Sequence, residues 1–521
     1  MNKNMKRNLK SLIRIIFGRT IIVILGLALQ ILFLVTSIMY FSNNFVFFSA
    51  AMSILSFIAL ICVINENSNP YYKLAWIVPI MLIPIFGAVM YVFVRLQLDS
   101  RLMNKRIRML MEKTSPLISH DETTAEELGK ISESERNFAS YMQKYAGFPV
   151  WKNIYAEYYP LGEDAFFAMV RELEKAEKFI FMEYFIVERG EMWDTILEIL
   201  ERKASEGVDV RFMYDGMSSL VLVPYNYPRK LAERGVKCKV FSPIRPVLST
   251  VQNNRDHRKI LVIDGHTAFT GGINLADEYI NKCERFGHWK DTAVMIKGKA
   301  AASFTIMFLQ SWNITETREE DYESFVKDVQ IPEQAAEPDG GFVIPYGDSP
   351  LDNEPVGKNV YIDILNRAER YVHIMTPYLI LDNEMAQALE YAAKRGVDVT
   401  IIMPHIPDKA YAYILARSYY GELISAGVKI YEYTPGFVHA KVFVSDDIRA
   451  VVGSINLDYR SLFLHFECAC YFYRCSVIGQ VEEDVQNTIK KCCQITLEDC
   501  RNYNIFKRLA GHILRLFAPL M

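Results

Sequence analysis

Apolar positions along this chain fall into two regimes. At the N-terminus they form long unbroken runs, Ile21–Phe41, Phe45–Ile64 and Leu74–Val94, none of which contains a charged residue. Runs of that length are long enough to cross a bilayer. Beyond about residue 150 the apolar residues gather instead into strand-length runs, each following an amphipathic stretch. Lys178–Val187 (K-F-I-F-M-E-Y-F-I-V) follows a helical stretch ending R-E-L-E-K-A-E. Arg370–Leu381 (R-Y-V-H-I-M-T-P-Y-L-I-L) repeats it after I-L-N-R-A-E. Gly207-Val208-Asp209-Val210 recurs as Gly396-Val397-Asp398-Val399, and Gly235-Val236-Lys237 as Gly427-Val428-Lys429. Strand–helix–strand order occurring twice predicts an α/β fold of two repeated halves, with mixed, mainly parallel sheets flanked by helices.

The pattern divides the chain into six parts. A membrane anchor spans 1–95, with hydrophobic segments at about 20–41, 45–64 and 74–94, and a polar linker spans 96–150. The first half covers 151–331, a Gly-Pro-Asp-rich junction 332–353, the second half 354–500, and a C-terminal amphipathic helix 501–521.

Charge bears on the anchor. Residues 1–19 carry Lys3, Lys6, Arg7, Lys10, Arg14 and Arg19 and no acid, and residues 95–113 are basic again. Basic flanks stay cytoplasmic, so both ends of the anchor call for an even number of crossings. The third segment holds Pro79, Pro84 and Gly87, so two spanning helices or three remain open. A cleaved signal peptide does not fit, because the first run is too long and has no small-residue cleavage site.

Composition excludes other classes. A net charge of −3 argues against nucleic-acid binding through bulk charge. The nine cysteines are scattered, odd in number and lack zinc-like spacing with histidine, which predicts reduced, mostly buried thiols and no metal. No other motif reads as a metal cage or a cofactor site.

The candidate chemistry sits in one repeated motif. His257–Asn274 reads H-R-K-I-L-V-I-D-G-H-T-A-F-T-G-G-I-N, and His439–Asn456 reads H-A-K-V-F-V-S-D-D-I-R-A-V-V-G-S-I-N. Both follow His-x-Lys, four residues, Asp, six residues, Gly-small-x-Asn. Alternation along a strand puts His257 and Lys259 on one face. A turn over Asp264–Thr267 would set Gly272 opposite Lys259 and Asn274 opposite His257. The same arithmetic pairs Lys441 with Ser454 and His439 with Asn456. Imidazole, ammonium and carboxamide then stand side by side, with a small residue between them, which suits a phosphate. Asp264 and Asp446 fall at the turns, where they support the hairpin or orient a neighbour.

These paired motifs resemble those of the phospholipase D superfamily. With the apolar N-terminus, including Asn69–Tyr91, the chain is similar to the bacterial cardiolipin synthases. The resemblance implies two pseudo-symmetric phospholipase D-like halves preceded by N-terminal transmembrane helices, facing each other across a shared site. It implies a multi-pass bacterial cell-membrane enzyme that joins two phosphatidylglycerol molecules into cardiolipin and glycerol, with no cofactor.

Displacement of an alcohol from a phosphodiester needs a nucleophile on one face of phosphorus and an acid on the other. The residues leave open which histidine attacks; the resemblance implies His257 as nucleophile and His439 as acid and base. Lys259, Lys441, Asn274 and Asn456 would hold the phosphoryl oxygens, with Gly272 and Ser454 beside them. Asp291 and Glu467 each open a strand after their motif and either orient a histidine or play a structural role. His266 and His288 read as local structural residues. Tyr184 and Tyr378 either line a lipid groove or pack in the core. With water as acceptor the same site would be a phospholipase D yielding phosphatidic acid. A nuclease fits poorly, as no basic stripe is present.

Overall fold

The computed structural model describes residues 46–66, 69–82, 98–118, 122–243, 253–316, 320–327, 339–352 and 354–520, with isolated positions within 28–39 and 87–92 and at 329. In the first half the strands are β1 Trp151–Tyr159, β2 Phe179–Tyr184, β3 Asp209–Asp215, β4 Lys237–Phe241, β5 Arg255–Asp256, β6 Ile260–Ile263, β7 Thr267–Gly271, β8 His288–Lys290 and β9 Ala293–Lys297. In the second they are β10 Asp339–Asp348, β11 Tyr371–Met375, β12 Asp398–Pro404, β13 Lys429–Tyr433, β14 Gly436–Val438, β15 Val442–Ser445, β16 Arg449–Gly453, β17 His465–Tyr473 and β18 Cys492–Ile495.

All but β8 and β14, which pair with each other, build one continuous sheet, ordered β4-β3-β2-β6-β7-β9-β1 and then β10-β17-β16-β15-β11-β12-β13-β18, with β5 attached to β17. Read outward from the β1–β10 joint, the two halves give the same order of strands as far as β4 and β13, with β18 added at the second edge, so the pseudo-twofold lies at that joint. Strands β2, β3 and β4 pair in parallel, as do β11, β12 and β13. The motif hairpins and the joint pair antiparallel. The sheet is therefore mixed, and along its path the parallel pairings are those within β2-β3-β4 and β11-β12-β13. Strand β2 is buried at every position, as expected of a sheet covered by helices on both faces. The Glu191–Ser205 helix shows how: Met192, Trp193, Ile196, Leu197 and Leu200 form its buried face, and its basic residues Arg202 and Lys203 lie in the last turn.

The stretch 332–353 carries strand β10 within it, which ties β1 to β17. The stretch 96–150 is not an extended tether. It forms the helices Leu98–Thr114, Glu122–Ile131 and Glu133–Tyr141. Glu135 from the last is buried against Arg449 at 2.7 Å, Arg367 at 3.1 Å and the Tyr471 hydroxyl at 2.9 Å.

Both hairpins differ from expectation by one residue. Ile263 pairs with Thr267, and Ser445 with Arg449, leaving three-residue turns in place of four. The cause is local: Asp264 and Gly265 both take positive φ (52° and 74°), as do Asp446 and Asp447 (57° and 61°). Two successive left-handed residues reverse the chain more tightly than the expected turn.

Of the N-terminal segments, 20–41 lies almost wholly outside the described residues. Val46–Ile64 and Pro70–Leu82 are helices of 19 and 13 residues. They pack on one another through Ala59, Val63 and Ile80 and leave large apolar residues such as Phe57, Met81 and Leu82 exposed. Among the described residues no helix is long and apolar enough to cross a membrane. At 1.5 Å per residue the longer reaches about 28 Å, against a hydrocarbon layer of about 30 Å.

Candidate active site

The site forms where the two halves exchange short strands. Strand β5 leaves its own half and pairs in parallel with β17, Arg255 with His465 and Asp256 with Phe466. One step further along this register, His257 lies opposite Glu467. Its Nδ1 is 3.0 Å from both carboxylate oxygens, and its backbone N–H donates to the Phe466 carbonyl at 2.9 Å. Strand β14 does the same with β8, pairing Phe437 with Trp289 and Val438 with Lys290. His439 then meets Asp291, Nδ1 to Oδ2 2.7 Å, and its N–H donates to the Lys290 carbonyl at 2.7 Å. Each motif histidine is held by a carboxylate from the other half. Both carboxylates are fully buried.

Donation of Nδ1–H to a carboxylate leaves the far ring nitrogen, Nε2, to act on a substrate. Burial, with the Lys259 and Lys441 ammoniums adding to it, holds the His257 imidazole well below its usual range. Burial and Lys441 bring His439 down to about 4 against the opposing pull of Asp291. Both rings are therefore neutral near pH 7, the form in which an imidazole attacks phosphorus or accepts a proton. The lysines form the floor. Burial pushes Lys259 down to about 8 and Lys441 to about 7. Each ammonium donates to the backbone carbonyl of its own motif histidine, and Lys441 also lies 2.9 Å from His439 Nδ1. A bound phosphodiester would return full charge to both lysines.

The remaining motif residues divide. Asp264 lies at the turn, accepting from the backbone N–H groups of Glu177, Lys178 and Phe179 at 2.7–2.8 Å. Asp446 accepts from Glu369, Arg370 and Tyr371 at 2.9 Å. They thus anchor the starts of β2 and β11, away from the histidines. A Cβ on Gly272 would lie 2.1 Å from Asp291 Oδ1 and 2.8 Å from the His439 carbonyl, so this glycine admits the carboxylate beside His439. Its counterpart Ser454 donates its hydroxyl to Glu467 Oε2. Asn274 accepts from the Ile186 N–H at 3.1 Å and donates to the Tyr279 hydroxyl at 2.8 Å. Asn456 is buried, with its Oδ1 unpartnered among the described residues. His266 bonds Thr267 at 2.9 Å and His288 bonds Tyr433 at 3.1 Å, both outside the cluster. Tyr184 packs in the core of the first half. Tyr378 donates to Asp408 at 2.6 Å.

Sequence reasoning passed over His465, whose ring lies 5.4 Å from that of His257. In the other half the equivalent place, two residues before the carboxylate, is held by Trp289, 5.4 Å from His439. The available signal was alternation: position i−2 shares the carboxylate's face of the strand. Arg460 donates to His465 Nε2 at 3.1 Å, and burial pushes this imidazole to about 3. His257, His465 and Glu467 lie within 4.8 Å of one another, close enough for a metal ion. The donor set suits one poorly. Glu467 already holds His257 Nδ1 and Arg460 holds His465 Nε2, and two buried lysines favour an anion.

A cavity of about 380 Å³ reaches His465 from outside. Its walls include Asp348, Glu354, Lys358 and Phe463, and Asn69, Pro70 and Tyr72 at the foot of the apolar Pro70–Leu82 helix. The cavity thus opens onto His465 beside the N-terminal helices, and neither His257 nor His439 lines it.

Comparison with known proteins bears on family and fold. The family described as "Cardiolipin synthase, PLD-like domain" matches residues 169–312 and 361–489, and that described as "Phospholipase_D-nuclease N-terminal" matches 54–95. The chain is 49% identical to an uncharacterized protein of Streptococcus mutans over 89% of this chain and 99% of that one. It is 34% identical to a cardiolipin synthase of Geobacillus sp. (strain WCH70), over 88% of this chain and 90% of that one. The solved phosphatidylserine synthase of Haemophilus influenzae Rd KW20 superposes with a TM-score of 0.55 at 15% identity, covering 75% of this chain and 98% of that one, a likeness of fold.

Proposed function

We propose, for a chain that belongs to the family of cardiolipin synthases with a phospholipase D-like domain, a membrane phosphatidyltransferase that makes cardiolipin and glycerol from two phosphatidylglycerol molecules. The observation that carries the mechanism is the crossed pairing of His257 with Glu467 and His439 with Asp291. Two imidazoles in equivalent settings, related by a twofold, can serve opposite faces of one phosphorus.

Nε2 of His257 attacks the phosphorus of the first lipid. The bond from phosphorus to the glycerol oxygen breaks, and His439 supplies the proton that glycerol carries away. His439 then takes the proton of the terminal hydroxyl of the second lipid. That oxygen attacks phosphorus, the P–N bond breaks, and cardiolipin leaves with His257 restored. At neutral pH His439 must first gain a proton, which the anionic diester favours by raising its affinity for one. Lys259 and Lys441 balance charge on the phosphoryl oxygens. Asp264 and Asp446 hold the hairpins. The exposed apolar faces of the Val46–Ile64 and Pro70–Leu82 helices support attachment to the bilayer, next to the cavity by which a lipid headgroup would enter.

The test is a product assay with the purified full chain in micelles of phosphatidylglycerol alone. Cardiolipin with equimolar free glycerol is expected. Phosphatidic acid with little cardiolipin would replace the reading with a phospholipase D that uses water.

A further inference from the structure

We propose a second lipid site, separate from the histidines, at which the C-terminal helix seats the phosphate-bearing headgroup of an anionic phospholipid in the bilayer. The Ile505–Phe517 helix packs on the Ala410–Ser425 helix closely enough that a Cβ on Gly511 would meet the Ile414 carbonyl at 2.9 Å and Ser418 Cβ at 3.1 Å. Between these helices and Leu497–Asn502 lies a cavity of about 480 Å³.

Its walls carry Arg417, Arg501, Arg508, His512 and Arg515 against a single acid, Glu422. Arg515 is paired with Glu422 at 3.0 Å, and Arg417 lies 3.7 Å from Glu432. Arg501, Arg508 and His512 have no side-chain hydrogen bond or ion pair among the described residues. Cationic donors facing one cavity without a counter-charge call for an anion with several acceptor oxygens.

The same helix indicates that the anion belongs to a lipid. Ile505, Phe506, Leu509, Ile513, Leu516 and Phe517 are all exposed, Phe506 to 80% and Leu516 to 71%. At about 100° per residue they share an arc of about 120°, and Arg508 and His512 occupy the next turn of the wheel. An apolar face flanked by cations is the arrangement of a helix lying in the membrane interface, acyl chains against one side and phosphates against the other. The final turn, Ala518–Leu520, touches the apolar Pro70–Leu82 helix, so both elements meet the same membrane surface. None of the cavity residues belongs to the catalytic cluster. The inference rests on membrane attachment and not on the identity of the acceptor alcohol.

The experiment uses the full chain carrying His439→Ala, which stops turnover, purified in dodecyl maltoside and incubated with phosphatidylglycerol or phosphatidylcholine. Lipids retained per chain are counted by native mass spectrometry. The protein with the further changes Arg501→Gln, Arg508→Gln and His512→Gln is expected to retain one phosphatidylglycerol fewer, with an unchanged melting temperature. Phe506→Ser with Leu516→Ser should also lower retention. Equal retention of phosphatidylglycerol by the unaltered and triple-variant cavities would overturn the proposal. So would retention of phosphatidylcholine to the same number. Because the count involves no turnover, it stands apart from the product assay above.

Discussion

His257 and Glu467 lie 210 residues apart in the chain and meet at 3.0 Å, each contributed by a different half. His439 and Asp291 repeat the relationship in the opposite sense at 2.7 Å. Neither half alone holds a supported histidine, which makes the pseudo-twofold pair the functional unit.

Glu467→Gln and Asp291→Asn keep the shape of the contact and remove its charge. Both act through a histidine, so kcat should fall by about 10²–10⁴ with KM little changed. Under the proposed roles, rapid-quench labelling with phosphate-labelled phosphatidylglycerol should separate the two. Glu467→Gln slows formation of the labelled enzyme, and Asp291→Asn slows its decay as well as its formation, because His439 gives a proton in one step and takes one in the other. Label found on His439 in place of His257 would contradict the assignment of His257 as nucleophile.

Gly272→Ala tests how tightly the second pair is built. The added methyl would sit 2.1 Å from Asp291 Oδ1, inside a rigid buried cluster. A displacement of about 1 Å at a catalytic group costs about 10²-fold in rate. A loss of that order is expected, while thermal unfolding in detergent changes far less than activity. Full activity would show that the Asp291 contact is dispensable.

Asp264→Ala and Asp446→Ala should act on stability. Each removes three charge-assisted bonds to backbone N–H groups and leaves alanine in a left-handed turn. About 2–4 kcal/mol of destabilisation follows. Denaturant titration should register the loss. Activity per folded molecule, measured well below the melting temperature, should survive.

The pH dependence of kcat/KM reports the free enzyme. His257 must be neutral to attack phosphorus, and burial holds it well below its usual range, so activity falls only under strongly acidic conditions, where that imidazole takes up a proton. Lys441 at about 7 and Lys259 at about 8 must be charged to hold the diester. The rate should therefore decline as pH rises from 7 to 8, well below the range of an ordinary lysine. A flat profile from pH 6 to 10 would remove the lysines from diester binding.

Much of this protein was legible in local pattern. The repeated runs around Lys178 and Arg370, the Gly-Val-Asp and Gly-Val-Lys strand starts, and both His–Lys motifs depend on residues a few places apart. Strand alternation and turn chemistry report such neighbours directly. The hairpin register escaped by one residue, because Asp264 and Asp446 are drawn into left-handed turns by backbone donors over seventy residues away.

The chain by itself determined that two histidines, two lysines and a repeated α/β half exist, since each is written in contiguous residues. Only the tertiary structure decided which carboxylate serves which histidine. That choice is made by β5 crossing to β17 and β14 crossing to β8, parallel pairings that close loops of 148 and 210 residues. It also decided that His465 stands beside His257 where Trp289 stands beside His439. Contacts of such sequence separation leave no periodicity in the chain, because they depend on how two folded halves dock.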